Sequence, residues 1–429
     1  MTSSPRTRRL PVAPLAKPAR RHLPLAGPAR EVDRRWRPIY AVWELTLKCD
    51  LACRHCGSRA GKARPDELTS AEALELVDQM ADLGVKEVTV IGGEAYLRDD
   101  WVDIVRRIGE RGMQCTMTTG GRGVTAELAR ASKEAGLRSV SVSIDGLRDT
   151  HDALRGVKGS YDAAFAALQH FRAAGIPVAV NSQIGAKSLR EIEALFREVV
   201  AAGVHSWQVQ LTVAMGRAAD EPDLLLQPYQ MLEVMPMLAR CKVHADEHGV
   251  RIWPGNNVGY FGPYEAMLRG QLPQGHMASC GAGRTTLGIE ANGDIKGCPS
   301  LPSSDYVGGN LRDHSLQTLW EQTQALRFTR DRTVNDLWGD CRDCYYADVC
   351  RAGCSWTSHV LFGRPGNNPY CHHRALEKLQ QGKRERLAVE TPAPGEPFDH
   401  GRFRAWDEDW PAAELERARR VVIEDAHWL

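Results

Sequence analysis

The chain has 429 residues, 43% apolar and 25% charged, with a formal net charge of +1. That length allows two or three domains, and a charge near zero supplies no overall field to draw in nucleic acid or an anionic membrane. No apolar run reaches the roughly 18–20 residues of a membrane-spanning helix, so neither a membrane nor a nucleic-acid partner is expected.

In chain order, residues 1–37 read as a basic, Pro/Arg-rich disordered tail. The Arg8-Arg9 pair does not open an export leader, because Lys17, Arg20 and Arg21 interrupt any apolar stretch. With twelve cysteines and no export signal, reduced thiols in a cytoplasmic setting are expected. Residues 38–213 then alternate strand-like and helix-like segments. The strand-like runs are 39–47, 86–93, 114–120, 138–146, 177–184 and 205–213, each short and rich in Val, Ile and Thr. Between them lie amphipathic patterns ending on glycine. The first carries a capping box, Thr69 with Glu72, and ends at Gly84. Six strands alternating with five helices predict an α/β fold, a partial (β/α)6 barrel with a parallel sheet and its chemistry on the loops leaving the carboxyl ends of the strands.

Residues 214–275 read as a bridging helix and loops, with 253–275 as loop. Residues 276–378 form a small cysteine-rich domain, opened by a β-hairpin signal at Asn292-Gly293. Residues 379–429 turn polar and read as a solvated tail with a short helix near its end. Cys115 and Cys241 stand apart from the other cysteines and read as buried small residues.

The loop after the first strand reads CDLACRHC, placing Cys49, Cys53 and Cys56 together. Soft thiolates suit zinc or iron–sulfur centres, and a four-iron cluster takes four ligands. Three cysteines leave one iron open to a small molecule. A cysteine-rich zinc module that binds nucleic acid is the non-enzymatic alternative, but the charge around Cys341–Cys354 is balanced rather than basic.

Cys-x3-Cys-x2-Cys after a first strand resembles the radical S-adenosylmethionine (SAM) enzymes. The resemblance implies that Cys49, Cys53 and Cys56 hold a SAM-binding 4Fe–4S cluster whose fourth iron is chelated by SAM. Gly92-Gly93-Glu94 resembles the family's Gly-Gly-Glu-Pro motif at the SAM amino group, with Ala95 in place of proline. Ser143, Asp145, His151 and Arg155 match the segment at the fourth strand. There Ser143 and Arg155 are candidate SAM contacts, and Asp145 reads as a brace at the strand end.

The run Cys280, Gly293, Cys298, Cys341-x2-Cys344-x5-Cys350-x3-Cys354 and Cys371 resembles the seven-cysteine SPASM signature, which implies two auxiliary iron–sulfur clusters. By position, Cys341, Cys344, Cys350 and Cys371 fall to the outer cluster, and Cys280, Cys298 and Cys354 to the inner one. Some relatives carry an extra cysteine soon after the first; here the next residues are GAGRTTLGIE, so a three-cysteine inner cluster is expected.

The cofactors implied are therefore SAM and three clusters. The implied activity is reductive cleavage of SAM to a 5′-deoxyadenosyl radical and oxidative modification of a ribosomally made peptide or protein. Alternatives are a small molecule such as a tetrapyrrole side chain, or the sulfatase-maturing type. Pro299 and Ser300 after Cys298 depart from the aspartate of that last type. The implied partners are a peptide or protein substrate and an electron donor such as flavodoxin or ferredoxin. A separate leader-peptide-binding carrier protein is also expected, because only 37 residues precede the barrel. The sequence names no catalytic acid or base, though Tyr345, Tyr346, His359 and Asp305 are candidate proton carriers.

Overall fold

A computed structural model describes residues 25–277 and 279–425. They hold twelve strands: β1 Tyr40–Glu44, β2 Glu87–Ile91, β3 Gln114–Thr119, β4 Ser139–Ser143, β5 Val178–Ile184, β6 Ser206–Leu211, β7 Arg251–Pro254, β8 Thr286–Ile289, β9 Asp294–Lys296, β10 Gly309–Asn310, β11 Lys383–Thr391 and β12 Arg402–Asp409. The first ten form one sheet in the order β10-β9-β8-β1-β2-β3-β4-β5-β6-β7. From β1 to β7 every neighbouring pair is parallel, as strands joined by helical crossovers must be.

Helix Ser70–Leu83 shows how the sequence dictates the outer layer. The Thr69 hydroxyl accepts from Glu72 N at 3.3 Å, while Thr69 N donates to the Glu72 carboxylate at 2.8 Å. Such a cap contributes about 1 kcal/mol. Gly84 ends the helix at φ 99°, and Ala73, Leu76, Val77, Met80 and Leu83 form the face buried on the sheet. Strands β3 to β5 alternate strictly, and β6 does so from Trp207 onward. Val140, Val142, Val180, Val209 and Leu211 pack under the helices. Thr118, Ser143, Asn181, Gln183 and Gln210 stand half-buried on the opposite face. The sheet thus presents a polar, partly accessible inner face, suited to holding a polar molecule.

Four expectations need adjustment. The segment expected as loop over 253–275 begins inside β7, which pairs with β6 from Ser206↔Arg251 to Val209↔Pro254, and it contains helix Glu265–Arg269. The signal was faint because β7 has four residues and ends on proline. The cysteine-rich region also joins the main sheet, since β8 runs parallel to β1 with Tyr40 opposite Thr286.

The expected tail over 1–24 lies outside the described residues. Its continuation is ordered, with helix Glu31–Arg35 held by buried Asp33. Asp33 meets Arg30 at 2.8 Å, Arg327 at 2.9 Å and Arg330 at 3.2 Å. The Trp320 indole donates to Trp36 O at 2.9 Å.

The segment expected as a C-terminal solvated tail with a short helix near its end begins instead with an antiparallel hairpin, β11 with β12, and helix Ala412–Asp425 follows where the short helix was expected. Opposite charges pair across its strands, Lys383 with Asp409 at 2.8 Å and Arg384 with Glu408 at 2.7 Å. Arg374, itself buried, ion-pairs with buried Glu385. Leu415, Ala418 and Val422 of the last helix pack against the main core.

Candidate cluster and SAM site

The cysteine loop leaves β1 and is clamped at both ends. Gly61 N donates to Leu47 O at 2.8 Å and Cys49 N donates to Gly61 O at 3.1 Å. Ala52 N and Arg54 N donate to the carbonyls of Arg155 and Leu154, at 3.1 and 2.8 Å. Each thiol sulfur faces one N–H donor. Leu51 N lies 3.4 Å from Cys49 Sγ, Ala60 N lies 3.4 Å from Cys56 Sγ, and the Arg155 guanidinium lies 3.6 Å from Cys53 Sγ. All three cysteines are free of disulfides. Burial pushes the Cys49 thiol up to about 12 and raises the Cys53 thiol also, against the opposing charge of Arg155. Thiols held neutral by burial yet aimed at N–H donors ionise once a cationic centre joins them. This donor set fits an iron–sulfur cluster held by Cys49, Cys53 and Cys56.

The Gly92-Gly93-Glu94 loop lies directly on the cysteine loop. Gly93 N donates to Thr46 O at 2.7 Å and Glu94 N donates to Lys48 O at 2.8 Å. A Cβ on Gly92 would stand 2.4 Å from Thr46 O, and one on Gly93 would stand 2.2 Å from Lys48 O. Glycine is therefore required by backbone contact. The approach brings the Glu94 carboxylate, Asp50 and the Cys49 sulfur within 4.8 Å of one another. Glu94 is buried; Gly120 N donates to it at 2.7 Å and the Thr119 hydroxyl at 2.5 Å. Burial pushes its carboxyl up to about 7. A buried carboxylate with unused lone pairs suits an ammonium group. Thr119 and Gly120 were not singled out from the sequence, although the glycine pair Gly120-Gly121 closing β3 offered a signal.

Asp145 sits at the end of β4, fully buried, and its Oδ1 accepts from Gln183 N of β5 at 2.9 Å. Its Oδ2 meets Arg155 at 2.7 Å and His55 Nε2 at 3.1 Å. Burial alone would raise this carboxyl, but Arg155 and then His55 hold it well below the usual range. Burial pushes His151 down to about 4, and its Nδ1 accepts from Asp145 N at 3.2 Å. Asp145 thus braces the strand end and orients Arg155 toward the Cys53 sulfur. Ser143 ends β4 on the half-buried polar face, opposite Asn181.

Two further cysteine groups lie in the C-terminal half. Cys341, Cys344, Cys350 and Cys371 line one pocket with Tyr260, Phe261 and Tyr346. Asn368 N and Tyr346 N stand 3.5 and 3.4 Å from the sulfurs of Cys341 and Cys344. Four thiols around one apolar pocket fit a fully cysteine-ligated cluster. Cys280 and Cys298 gather beside Tyr306, Phe328 and Trp356. Burial, then the neighbouring Cys280 and Cys354, push the Cys298 thiol up to about 12. The Tyr260 hydroxyl links the two groups, accepting from Cys354 N at 3.0 Å and from Asn368 at 3.1 Å. Cys115 and Cys241 are buried in the main core. Tyr345 is 90% exposed, and Tyr346 stacks on Phe261 at the outer pocket.

The 392–401 loop of the C-terminal hairpin returns to the cysteine loop, a feature the polar composition concealed. Phe398 N donates to Gly57 O at 3.1 Å, Gly216 N donates to Asp399 O at 2.8 Å, and Arg59 meets Asp399 at 2.9 Å. Phe398 packs with Val213, Met215 and Val360.

A three-thiol loop at the carboxyl edge of a parallel sheet, with a glycine-backed carboxylate against it, suits an iron–sulfur cluster that leaves one iron to a small polar ligand. Residues 43–199 match the Radical SAM superfamily, and residues 280–345 match the SPASM iron–sulfur cluster-binding domain. The chain belongs to the radical SAM superfamily and carries a C-terminal SPASM domain.

It is 28% identical over 356 residues to the AdoMet-dependent heme synthase of Nitratidesulfovibrio vulgaris, covering 78% of this chain and 92% of that protein. It is 29% identical over 373 residues to the mycofactocin maturase MftC of Mycobacterium tuberculosis, covering 86% of this chain and 89% of that protein. Among solved structures, SuiB of Streptococcus suis bound to S-adenosylmethionine superposes with a TM-score of 0.61 at 17% identity, over 75% of this chain and 73% of SuiB. The AdoMet-bound anSMEcpe superposes with a TM-score of 0.62 at 14% identity, over 79% of this chain and 95% of that one. At such identities these two structures establish the fold alone. Among the described residues no helix is long and apolar enough to cross a membrane.

Proposed function

We propose that the protein is a maturase that uses SAM to modify oxidatively a ribosomally made peptide or protein. The observation that carries this reading is the division of ten cysteines into one three-thiol group beside the glycine-backed Glu94 and two groups beyond it. In this reading Cys49, Cys53 and Cys56 hold the SAM-binding cluster. Cys341, Cys344, Cys350 and Cys371 hold an outer cluster, and Cys280, Cys298 and Cys354 an inner one. When bound, the first cluster supplies the electron that cleaves SAM to methionine and a 5′-deoxyadenosyl radical able to abstract hydrogen from carbon.

The chain's own residues position and enclose that chemistry. Glu94 receives the SAM ammonium while Thr119 and Gly120 hold its carboxylate in place. Arg155, fixed by Asp145, places positive charge beside the Cys53 sulfur. Ser143 offers a hydroxyl on the polar inner face. Phe398 and Met215 help exclude water next to the cysteine loop. Two auxiliary clusters suit a net oxidation, because the second electron needs an outward path. A reduced flavodoxin or ferredoxin supplies the first electron, and a separate carrier protein presents the leader of the substrate, in a cytoplasmic setting.

The likeness to MftC, called a maturase, supports a peptide substrate. The likeness to an AdoMet-dependent heme synthase supports a second reading, modification of a tetrapyrrole side chain. Reduced, anaerobically reconstituted enzyme is incubated with SAM and either peptides encoded near its gene or a propionate-bearing tetrapyrrole. The first reading expects 5′-deoxyadenosine formation together with a mass change in a peptide. A mass change in the tetrapyrrole alone would replace the first reading with the second.

A further inference from the structure

Away from the cysteines, three distant segments bring Asp305, His359 and His400 together: helix Ser303–Tyr306, helix Ser355–Phe362 and the end of the 392–401 loop. Asp305 Oδ2 lies 3.5 Å from His359 Nε2 and 3.8 Å from His400 Nε2. One ligand-capable atom from each of the three falls within 4.8 Å of the other two.

The opposite nitrogen of each ring is already engaged. His400 Nδ1–H donates to Gly401 O at 2.7 Å, so in the neutral ring the lone pair lies on Nε2, toward Asp305. His359 Nδ1 is 3.0 Å from the Tyr306 hydroxyl. With the Tyr306 oxygen as acceptor, the His359 lone pair also lies on Nε2. His359 is only 5% exposed, yet its Nε2 has no hydrogen-bond partner. Leaving such a nitrogen unsatisfied costs about 1–3 kcal/mol, so a partner is to be expected.

We propose that Asp305, His359 and His400 form a binding site for one first-row divalent cation, Zn²⁺ foremost. Two imidazoles and one carboxylate are the donor set of three-ligand zinc sites that keep open positions. Ligand atoms around a tetrahedral zinc stand about 3.3 Å apart. The observed gaps of 3.5 and 3.8 Å, with all three ligand atoms within 4.8 Å of one another, leave room for such an ion. The anchored Nδ1 atoms supply the outer hydrogen bonds that fix tautomer and ring orientation in metal-bound histidines.

The location gives the site a purpose. Phe398 and Asp399, next to His400, dock on the cysteine loop and on Gly216. Tyr306, next to Asp305, packs beside Cys280 and Cys298. The cation would therefore lie between the SAM-side cysteines and the inner cysteine group, where its open positions suit a carboxylate or carbonyl oxygen of the substrate. That role rests on the enzymatic reading above; cation binding itself does not.

The test uses reconstituted holoenzyme, treated with EDTA to remove loosely held metal and checked for full iron content. Zn²⁺ is titrated against a chromophoric chelator, and bound zinc is counted by elemental analysis. We expect one zinc per chain beyond the iron, with affinity at least tenfold weaker in His400→Gln, and cluster absorbance unchanged. Because His400 lies on a loop, this variant keeps the buried core; Asp305→Asn serves as the second variant and should weaken zinc likewise. Absence of zinc uptake by the parent protein overturns the proposal. So does uptake that both variants retain, because such zinc would belong to cysteines. Altered turnover in His400→Gln without zinc binding by the parent also overturns it, leaving a metal-free proton relay.

Discussion

Replacing Glu94 by Gln removes one charge from the candidate SAM pocket and almost nothing else. The amide keeps the shape of the carboxylate, and its oxygen still accepts from Gly120 N, the 2.7 Å bond in the parent. The amide NH₂ faces the Thr119 hydroxyl, which can rotate from donor to acceptor. Folding stability should therefore change little, within about 1 kcal/mol. The ammonium of SAM, in contrast, loses an ionised partner in a site shielded from water. A hydrogen bond to a charged group is worth about 1.5–3 kcal/mol, which corresponds to roughly 10- to 150-fold in affinity. The assay is calorimetric titration of reconstituted enzyme with SAM under strict exclusion of oxygen, with iron content and melting temperature as controls. Weakening by at least tenfold at constant iron content is expected. Unchanged SAM affinity in a fully loaded variant would refute the assignment of Glu94.

Arg155→Met leaves buried Asp145 with His55 as its remaining ionisable partner and withdraws the donor from the Cys53 sulfur. A destabilisation of about 3–5 kcal/mol is expected by urea unfolding, together with reduced iron in the SAM-side cluster by elemental analysis. Asp33 tests the N-terminal helix through pH. Burial opposes its ionisation, but hydrogen bonds from Arg30 and Arg330 hold its carboxyl down to about 2. Because the folded value is depressed, the stabilisation of about 2 kcal/mol is complete above the ordinary carboxylate range and is lost as pH falls toward 2. The stability gap between the parent protein and Asp33→Asn should thus be full at neutral pH and shrink below about pH 4. Phe398→Ala removes the ring that packs on Met215 and on Lys296, whose ammonium lies 3.8 Å from the ring centroid. It should cost about 3–5 kcal/mol of local packing and make the 392–401 loop the first site of proteolytic nicking. Equal protease resistance would count against Phe398 holding the 392–401 loop on the cysteine loop.

Much of this architecture was legible because the signals were local. The capping box at Thr69 and Glu72, the valine-rich alternation of β4 and the Asn292-Gly293 turn are each set by neighbours in sequence. The cysteine triplet is likewise a single loop, and its meeting with Glu94 followed from parallel strands whose loops emerge on one edge. What escaped notice depends on partners far apart in the chain. The β11–β12 hairpin is rich in charge, and only cross-strand pairs such as Arg384 with Glu408 make those charges structural. Asp33 reads as a tail residue until Arg327 and Arg330 arrive from nearly 300 positions away. His400 lies in what reads as a polar linker, and its proximity to His359 and Asp305 is created by the hairpin. Thr119 and Gly120 looked like an ordinary strand end because their purpose, holding Glu94, is set by the neighbouring strand.

The most direct measurement replaces Cys53 by Ala and follows 5′-deoxyadenosine released from SAM by the reduced, reconstituted enzyme. The account predicts that release falls to background while about two-thirds of the parent's iron remains, held by the other seven cysteines. Release at the parent's rate would contradict it.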